Sequence, residues 1–197
     1  MHNSVRFKQL VKRLNTLRAH LLPVQFSPIG QYNDKEHDMA RAYLVLVHAE
    51  IEAYCEDRSR SIATKAHRRW QNKNRYGRVL VNIMKYHNVS KGQPWKSLDK
   101  SATKVNSALN FYLGSVGKNH GVKEENLFKM LYPIGIHAAD LDTVWLATMD
   151  SFGTRRGAVA HTSVSAQQPI DPATEYNRVM KQILPGLRKL DRKVSRL

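Results

Sequence analysis

Apolar residues return at helical spacing along most of the chain. Phe7, Leu10, Val11, Leu14, Leu17 and Leu21 fall on one stripe, the 3.6-residue period of an amphipathic helix. A helix is therefore expected over residues 5–21, stopped by Pro23, with a turn-rich linker to Tyr32 punctuated by Pro28 and Gly30. Asn33 followed by Glu36 reads as a capping box, the Asn33 side chain accepting from the free N–H groups of the first turn. The helix that starts there should run past Arg58 towards Trp70. Its centre, Ala42 to Cys55, is apolar nearly all round, as expected of a helix through a core. Asn72 to Gly77 breaks the pattern. A short helix is expected over Val79–Tyr86, a loop from Asn88 to Ser101 containing Gly92 and Pro94, and a helix capped by Ser101 and reaching Val116. Gly117 to Gly121 interrupts again, before a short helix over Lys123–Leu131 ahead of Pro133. Asp140 or Asp142 opens a segment with Leu141, Val144, Trp145, Thr148, Met149 and Phe152 along one side. Gly153-Thr154 is expected to interrupt or restart it. Asp171-Pro172 places an acid at a cap and proline at the first helical position, and the helix it opens carries Tyr176, Val179, Met180, Ile183, Leu187, Leu190 and Val194. With no internal repeat and no strand pair, the expected class is an all-α helical bundle with a basic, partly irregular middle segment. A single domain over 1–197 is expected, with residues 1–22 as its N-terminal helix.

Composition adds one strong feature. The 197 residues are 42% apolar and 24% charged, an ordinary globular balance, but 32 Lys and Arg face 16 Asp and Glu, a net charge of +16. From Arg58 to Lys123 there are fifteen basic residues and one acid, Asp99; the remainder carries seventeen basic and fifteen acidic residues. A single cysteine, Cys55, allows no internal disulfide, and the absence of Cys-x2-Cys and His-x3-His spacings argues against a structural zinc site, so no metal is expected. The central apolar run Ala42–Val47 is far shorter than the ~20 residues that span a bilayer. The N-terminus alternates apolar residues with Arg and Lys, without the apolar block of a signal peptide. A soluble, cytoplasmic protein with a polyanionic partner follows as the expectation.

The densest run is Arg58, Arg60, Lys65, His67, Arg68, Arg69, Trp70, Lys73, Arg75, Tyr76 and Arg78, within forty-one residues from Arg58 to Leu98 that contain no acid. Lys and Arg neutralise phosphates, and Trp70 or Tyr76 would stack on a base. The competing reading is a solvated helix face with one buried tryptophan. No clear amphipathic stripe suits membrane insertion, so no membrane partner is expected. Trp95 beside Pro94 reads as a loop anchor.

The candidate chemistry lies in Arg155-Arg156-Gly157-Ala158-Val159-Ala160-His161. An imidazole can take the proton of a ribose 2′-hydroxyl at neutral pH, and a guanidinium can hold the scissile phosphate and stabilise the charge building on it. Arg-x4-to-x6-His spacing alone is weak, since sixteen Arg and nine His give roughly two such matches by chance. Arg41 with His48 and Arg60 with His67 are two others. His48, inside the apolar Leu44–Cys55 stretch, reads as a packed core histidine, and His67 as a solvated or backbone-contacting member of the basic run. Five residues of α-helix turn through about 500°, which leaves Arg156 and His161 about 140° apart. One chain aims them poorly at one phosphate; two copies about a two-fold would present both pairs to one cleft. Gly153 and Gly157 would instead loosen the turn, with Thr154 as a new cap. Glu52 and Glu56 share a face of the central helix. Each reads either as a structural ion pair or as a support that orients Arg156 or His161.

The segments MARAYLVLVHAEIEAYCED, RRGAVAHT and IDPATEYNRVM resemble, in order and spacing, the HEPN superfamily of α-helical RNases, and in particular its RiboL-PSP-HEPN branch. The resemblance covers most of Asp34 to Leu197, least well in the basic middle. It implies a helical bundle that cleaves RNA without metal or other cofactor, with motifs meeting across a homodimer interface. By it Arg156 and His161 occupy the catalytic positions, and a toxin, stress or phage-defence setting follows, with an antitoxin or defence-system partner. The expected products are 2′,3′-cyclic phosphate and 5′-hydroxyl ends. Gly157 departs from the family, where a polar residue, most often Asn, follows the motif arginine; this leaves open whether Arg155 shares the work. The alternative is a non-catalytic HEPN-like RNA-binding or adaptor module, with an interaction domain docking an acidic protein as a third reading.

Overall fold

In a computed structural model of the chain, residues 3–92, 101–161 and 169–197 are described, and all regular structure among them is helical. Six α-helices lie before residue 162: α1 (Val5–Leu21), α2 (Asp34–Lys73), α3 (Arg78–Ser90), α4 (Ala102–Gly117), α5 (Glu124–Leu131) and α6 (Thr143–His161). Beyond it α7 (Pro172–Asn177) passes through a π-helical segment (Arg178–Ile183) into α8 (Leu184–Val194). The starts are where the polar side chains put them. Ser4 Oγ accepts from the Phe7 N–H at 3.1 Å. Asn33 and Glu36 exchange reciprocal bonds at 2.9 Å. Asp142 Oδ1 accepts from the Val144 and Trp145 N–H groups, and Asp171 Oδ1 from that of Thr174. Each cap satisfies a donor the helix leaves orphaned, worth ~1 kcal/mol.

The chain divides into two units. The first comprises residues to Tyr54, Gly121–Glu124 and Leu141–Arg192. Its core is built from Phe7, Leu10 and Leu14 of α1, Tyr43, Leu44, Val47 and Ile51 of α2, Met149 and Phe152 of α6, and Val179, Ile183 and Leu187 of the last helical run, all buried. Burying each such side chain is worth ~1.5–3 kcal/mol. Buried Asp191 accepts from the Ser4 N–H (2.7 Å), Ser4 Oγ (2.6 Å) and the Tyr54 hydroxyl (3.0 Å), tying both ends of this unit to α2. The second unit comprises Cys55–His120, Glu125–Asp140 and Lys193–Leu197. There α3 and α4 bury Leu80, Ile83, Met84, Val105, Ala108 and Tyr112, and the Tyr112 hydroxyl donates to the Met130 carbonyl at 2.6 Å. The second unit carries seventeen basic and five acidic residues, a net of +12, against fifteen and eleven, +4, in the first.

Three expectations change. Gly153 and Thr154 do not break α6, which runs unbroken from Thr143 to His161, so Thr154 caps nothing. Gly153 is buried, and a Cβ there would lie 2.8 Å from Lys123 Cγ; the residue permits close packing rather than a turn. The third helix ends at Ser90, not Tyr86, because His87 packs edge-on against Phe111 of α4 at 5.3 Å, a tertiary contact the local pattern does not show. Within the predicted last helix the ladder widens over Arg178–Ile183. Pro185 has no N–H and its ring would meet the Lys181 carbonyl in a regular α-helix, which the π segment relieves. Trp95 and most of the predicted 88–101 loop lie outside the described residues. No helix among the described residues is long and apolar enough to cross a membrane.

Candidate active site

The C-terminal half of α6 sorts its side chains by helical register. Phe152 and Arg156, four apart, share one face. The Phe152 ring lies 5.6 Å from that of His48 on α2. His48 is buried, and burial together with the neighbouring Arg156 charge lowers its imidazole pKa to about 4. It is neutral at pH 7. Glu52 Oε2 lies 3.6 Å from His48 Nδ1, while Glu52 Oε1 accepts from the Gly121 N–H at 2.5 Å. Arg156 itself is half-buried, its Nε is buried without a hydrogen-bond partner, and it forms no ion pair among the described residues. A guanidinium in that state is a ready site for an anion.

Ser151 and Arg155, again four apart, share a second face. Arg155 Nη2 lies 2.6 Å from Glu175 Oε1. Arg178 Nε lies 3.7 Å from Glu175 Oε2, and Arg178 Nη1 donates to Ser151 Oγ at 3.1 Å. Glu175 is 0% exposed. A third face, Thr154, Ala158 and His161, is exposed, with His161 as the last residue of α6. Because α6 is a regular helix through this stretch, the ~140° between Arg156 and His161 stands. A single chain holds the two on different faces.

Glu56 pairs with Arg60 at 3.5 Å. Arg60 lies across Gly117, where a Cβ would sit 3.2 Å from its Nη2. A groove of about 580 Å³ along α2 is lined by Asp57, Arg60, Ser61, Thr64, Lys65 and Arg68. Arg58 Nη2 donates to Ser195 Oγ at 2.8 Å. Lys65, Arg68, Arg69, Lys73, Arg75 and Arg78 are exposed. Trp70 is only 9% exposed, packed between His67 (5.4 Å) and Tyr76 (6.0 Å); its face is covered, and Tyr76 is the partly open ring of the pair. His67 shares a hydrogen bond with Asn106 Oδ1 at 2.8 Å. Among the described residues no group of His, Cys, Asp and Glu is arranged to hold a metal.

Sequence reasoning looked for a supporting carboxylate on α2 and missed Glu175. The available signal was local: a Glu175-x2-Arg178 pair just inside a helix start that Asp171 and Pro172 had already fixed.

Among known proteins, the family model described as RiboL-PSP-HEPN matches residues 8–190. No curated protein and no solved structure matches the chain.

Proposed function

The chain belongs to the RiboL-PSP-HEPN family, whose members point to RNase-like or RNA-related work, and on that premise we propose that it is a metal-independent endoribonuclease. The observation that carries this reading is the state of Arg156: half-buried, beside a neutral histidine, with no carboxylate paired to it among the described residues, while Arg155 next to it is engaged by Glu175. Arg156 holds the scissile phosphate and stabilises the charge that grows on its oxygens. His161 takes the 2′-hydroxyl proton, and the 2′-oxygen attacks the adjacent phosphorus. The 5′-oxygen leaves and gains a proton, which yields 2′,3′-cyclic phosphate and 5′-hydroxyl ends. The different faces of Arg156 and His161 on α6 favour a homodimeric site, with the arginine of one copy working beside the histidine of the other. RNA is the polyanion that the +12 unit attracts, through Lys65, Arg68, Arg69, Arg75 and their neighbours. A cytoplasmic toxin, stress or phage-defence role, with an antitoxin or defence-system partner, belongs to the same proposal.

The second reading, an RNA-binding or adaptor module without cleavage, draws on Gly157, which supplies no side chain where the family often has a polar one. The two part in one assay. With RNA in EDTA, wild type is expected to cleave, and His161→Ala and Arg156→Ala to lose about 10²-fold or more. Undiminished cleavage by His161→Ala, or strict dependence on added metal, overturns the mechanism; RNA binding with no cleavage at any enzyme level supports the module.

A further inference from the structure

We propose that Glu175 is a positioning residue that holds the catalytic end of α6 in place and reserves Arg156, rather than Arg155, for the phosphate. The proposal rests on the reading of Arg156 and His161 above and adds which carboxylate organises them.

A carboxylate that is 0% exposed must be paired, because an ion left alone in a protein interior costs several kcal/mol. Glu175 is paired twice, to Arg155 at 2.6 Å and to Arg178 at 3.7 Å. Arg178 also donates to Ser151. Ser151 and Arg155 are one turn apart on α6, and Glu175 and Arg178 one turn apart across the junction of α7 with the π segment. The result is a two-by-two lattice that grips α6 at two points on one face. The lattice has a fixed base. Asp171 caps α7 and Pro172 starts it, and the Ile170 carbonyl just before them shares a hydrogen bond with His37 Nδ1 at 2.9 Å. Glu175 therefore sits at a set height along the helix, and Arg155 is drawn to it.

Arg156 is the next residue along, 100° round the helix, and its position is a consequence. With Arg155 held towards Glu175, Arg156 is turned towards His48 and Phe152, where no described carboxylate pairs with it. The two consecutive arginines thus divide the work: Arg155 anchors, Arg156 binds. The glutamates on α2 are occupied elsewhere, Glu52 by the Gly121 N–H and His48, Glu56 by Arg60. A helix end that carries both reacting groups needs such a clamp, since a misplacement of about 1 Å can cost 10²-fold in rate.

The test uses the full-length protein with three variants. Glu175→Gln keeps the shape and removes the charge. Arg155→Lys keeps a cation for Glu175. Arg155→Met combined with Glu175→Leu removes the pair and leaves no charge at either position, while the partly exposed Arg178 keeps its bond to Ser151, so the double variant is expected to fold even if Glu175→Gln does not. Cleavage of a short single-stranded RNA in EDTA gives kcat and KM, and amide hydrogen exchange reads residues 155–161 directly. Glu175→Gln and the Met/Leu pair are expected to lower kcat about 10- to 100-fold with KM changed less than about 3-fold. Exchange at 155–161 should quicken about 10-fold with α1 unchanged, and Arg155→Lys should keep most of the activity. A raised KM with unchanged kcat in Glu175→Gln would mean that Arg155 contacts RNA itself and would overturn the proposal. Wild-type kcat in the Met/Leu pair would do the same, by showing that the site needs only packing there. If wild type cleaves no RNA, the ribonuclease reading fails, and unchanged exchange at 155–161 in Glu175→Gln separately refutes the clamp.

Discussion

His48 shows at the residue scale how much a side chain's surroundings decide. In the sequence it stood at motif spacing from Arg41, and its apolar neighbours read as core. It is core, but core that touches the candidate site. Burial, then the Arg156 charge, lowers its pKa to about 4, despite Glu52 at 3.6 Å. Between pH 6.5 and about 4 the unfolded chain binds a proton at this position that the folded chain refuses, so stability is full above pH 6.5 and falls as the pH drops through that window. The loss reaches roughly 3 kcal/mol. Urea unfolding at pH 7 and pH 4.5 should show a smaller acid loss for His48→Leu than for wild type. Equal losses would mean that His48 is protonated in the fold. The candidate site was partly legible at this scale. Arg156, His161 and Gly157 were visible because they are adjacent in sequence. Glu175 was not, because its partners Arg155 and Ser151 come from another helix and only folding makes them neighbours. Trp70 follows the buried one of its two readings: it is 9% exposed, with His67 and Tyr76 against its ring.

At the scale of elements, local chemistry wrote the starts and tertiary contact wrote the exceptions. Asn33, Ser101 and Asp171 cap where the sequence said they would, because capping needs only residues three positions apart. Glycine misled where its role was packing. Gly153 looked like a break and proved to be a buried contact with Lys123. Gly186 lies under the Trp145 indole, which also donates to the Ile183 carbonyl at 3.1 Å, whereas among the described residues no atom lies within 4 Å of a Cβ at Gly157. The two positions should therefore respond oppositely to alanine. Gly157→Ala gains the ~1 kcal/mol of helix propensity. Gly186→Ala gains the same but overlaps the indole, a net destabilisation of about 1–3 kcal/mol. Thermal unfolding of both variants checks this, and a Gly186→Ala protein as stable as wild type would show that the Trp145 packing yields without cost.

For the whole molecule, the +16 charge resolves into a +12 unit and a +4 unit. Arg155, Arg156, His161 and Glu175 all belong to the less charged one. On the proposed reading, affinity for RNA and the chemistry on it fall to different sets of residues: one would work through phosphate neutralisation and salt-sensitive binding, the other through Arg156 and His161. The all-α class and the family were legible from periodicity and three short segments. The division into two units was not, because α2 runs unbroken through both as one forty-residue helix. The most direct test of the central claim is cleavage, in EDTA, of a short RNA carrying a single 2′-deoxy nucleotide at its mapped cleavage site. Internal attack by the 2′-oxygen predicts that cut is lost at the substituted nucleotide and that the all-RNA control yields a 2′,3′-cyclic phosphate there. Continued cleavage at the deoxy position would show that water or another nucleophile attacks, and would contradict the account.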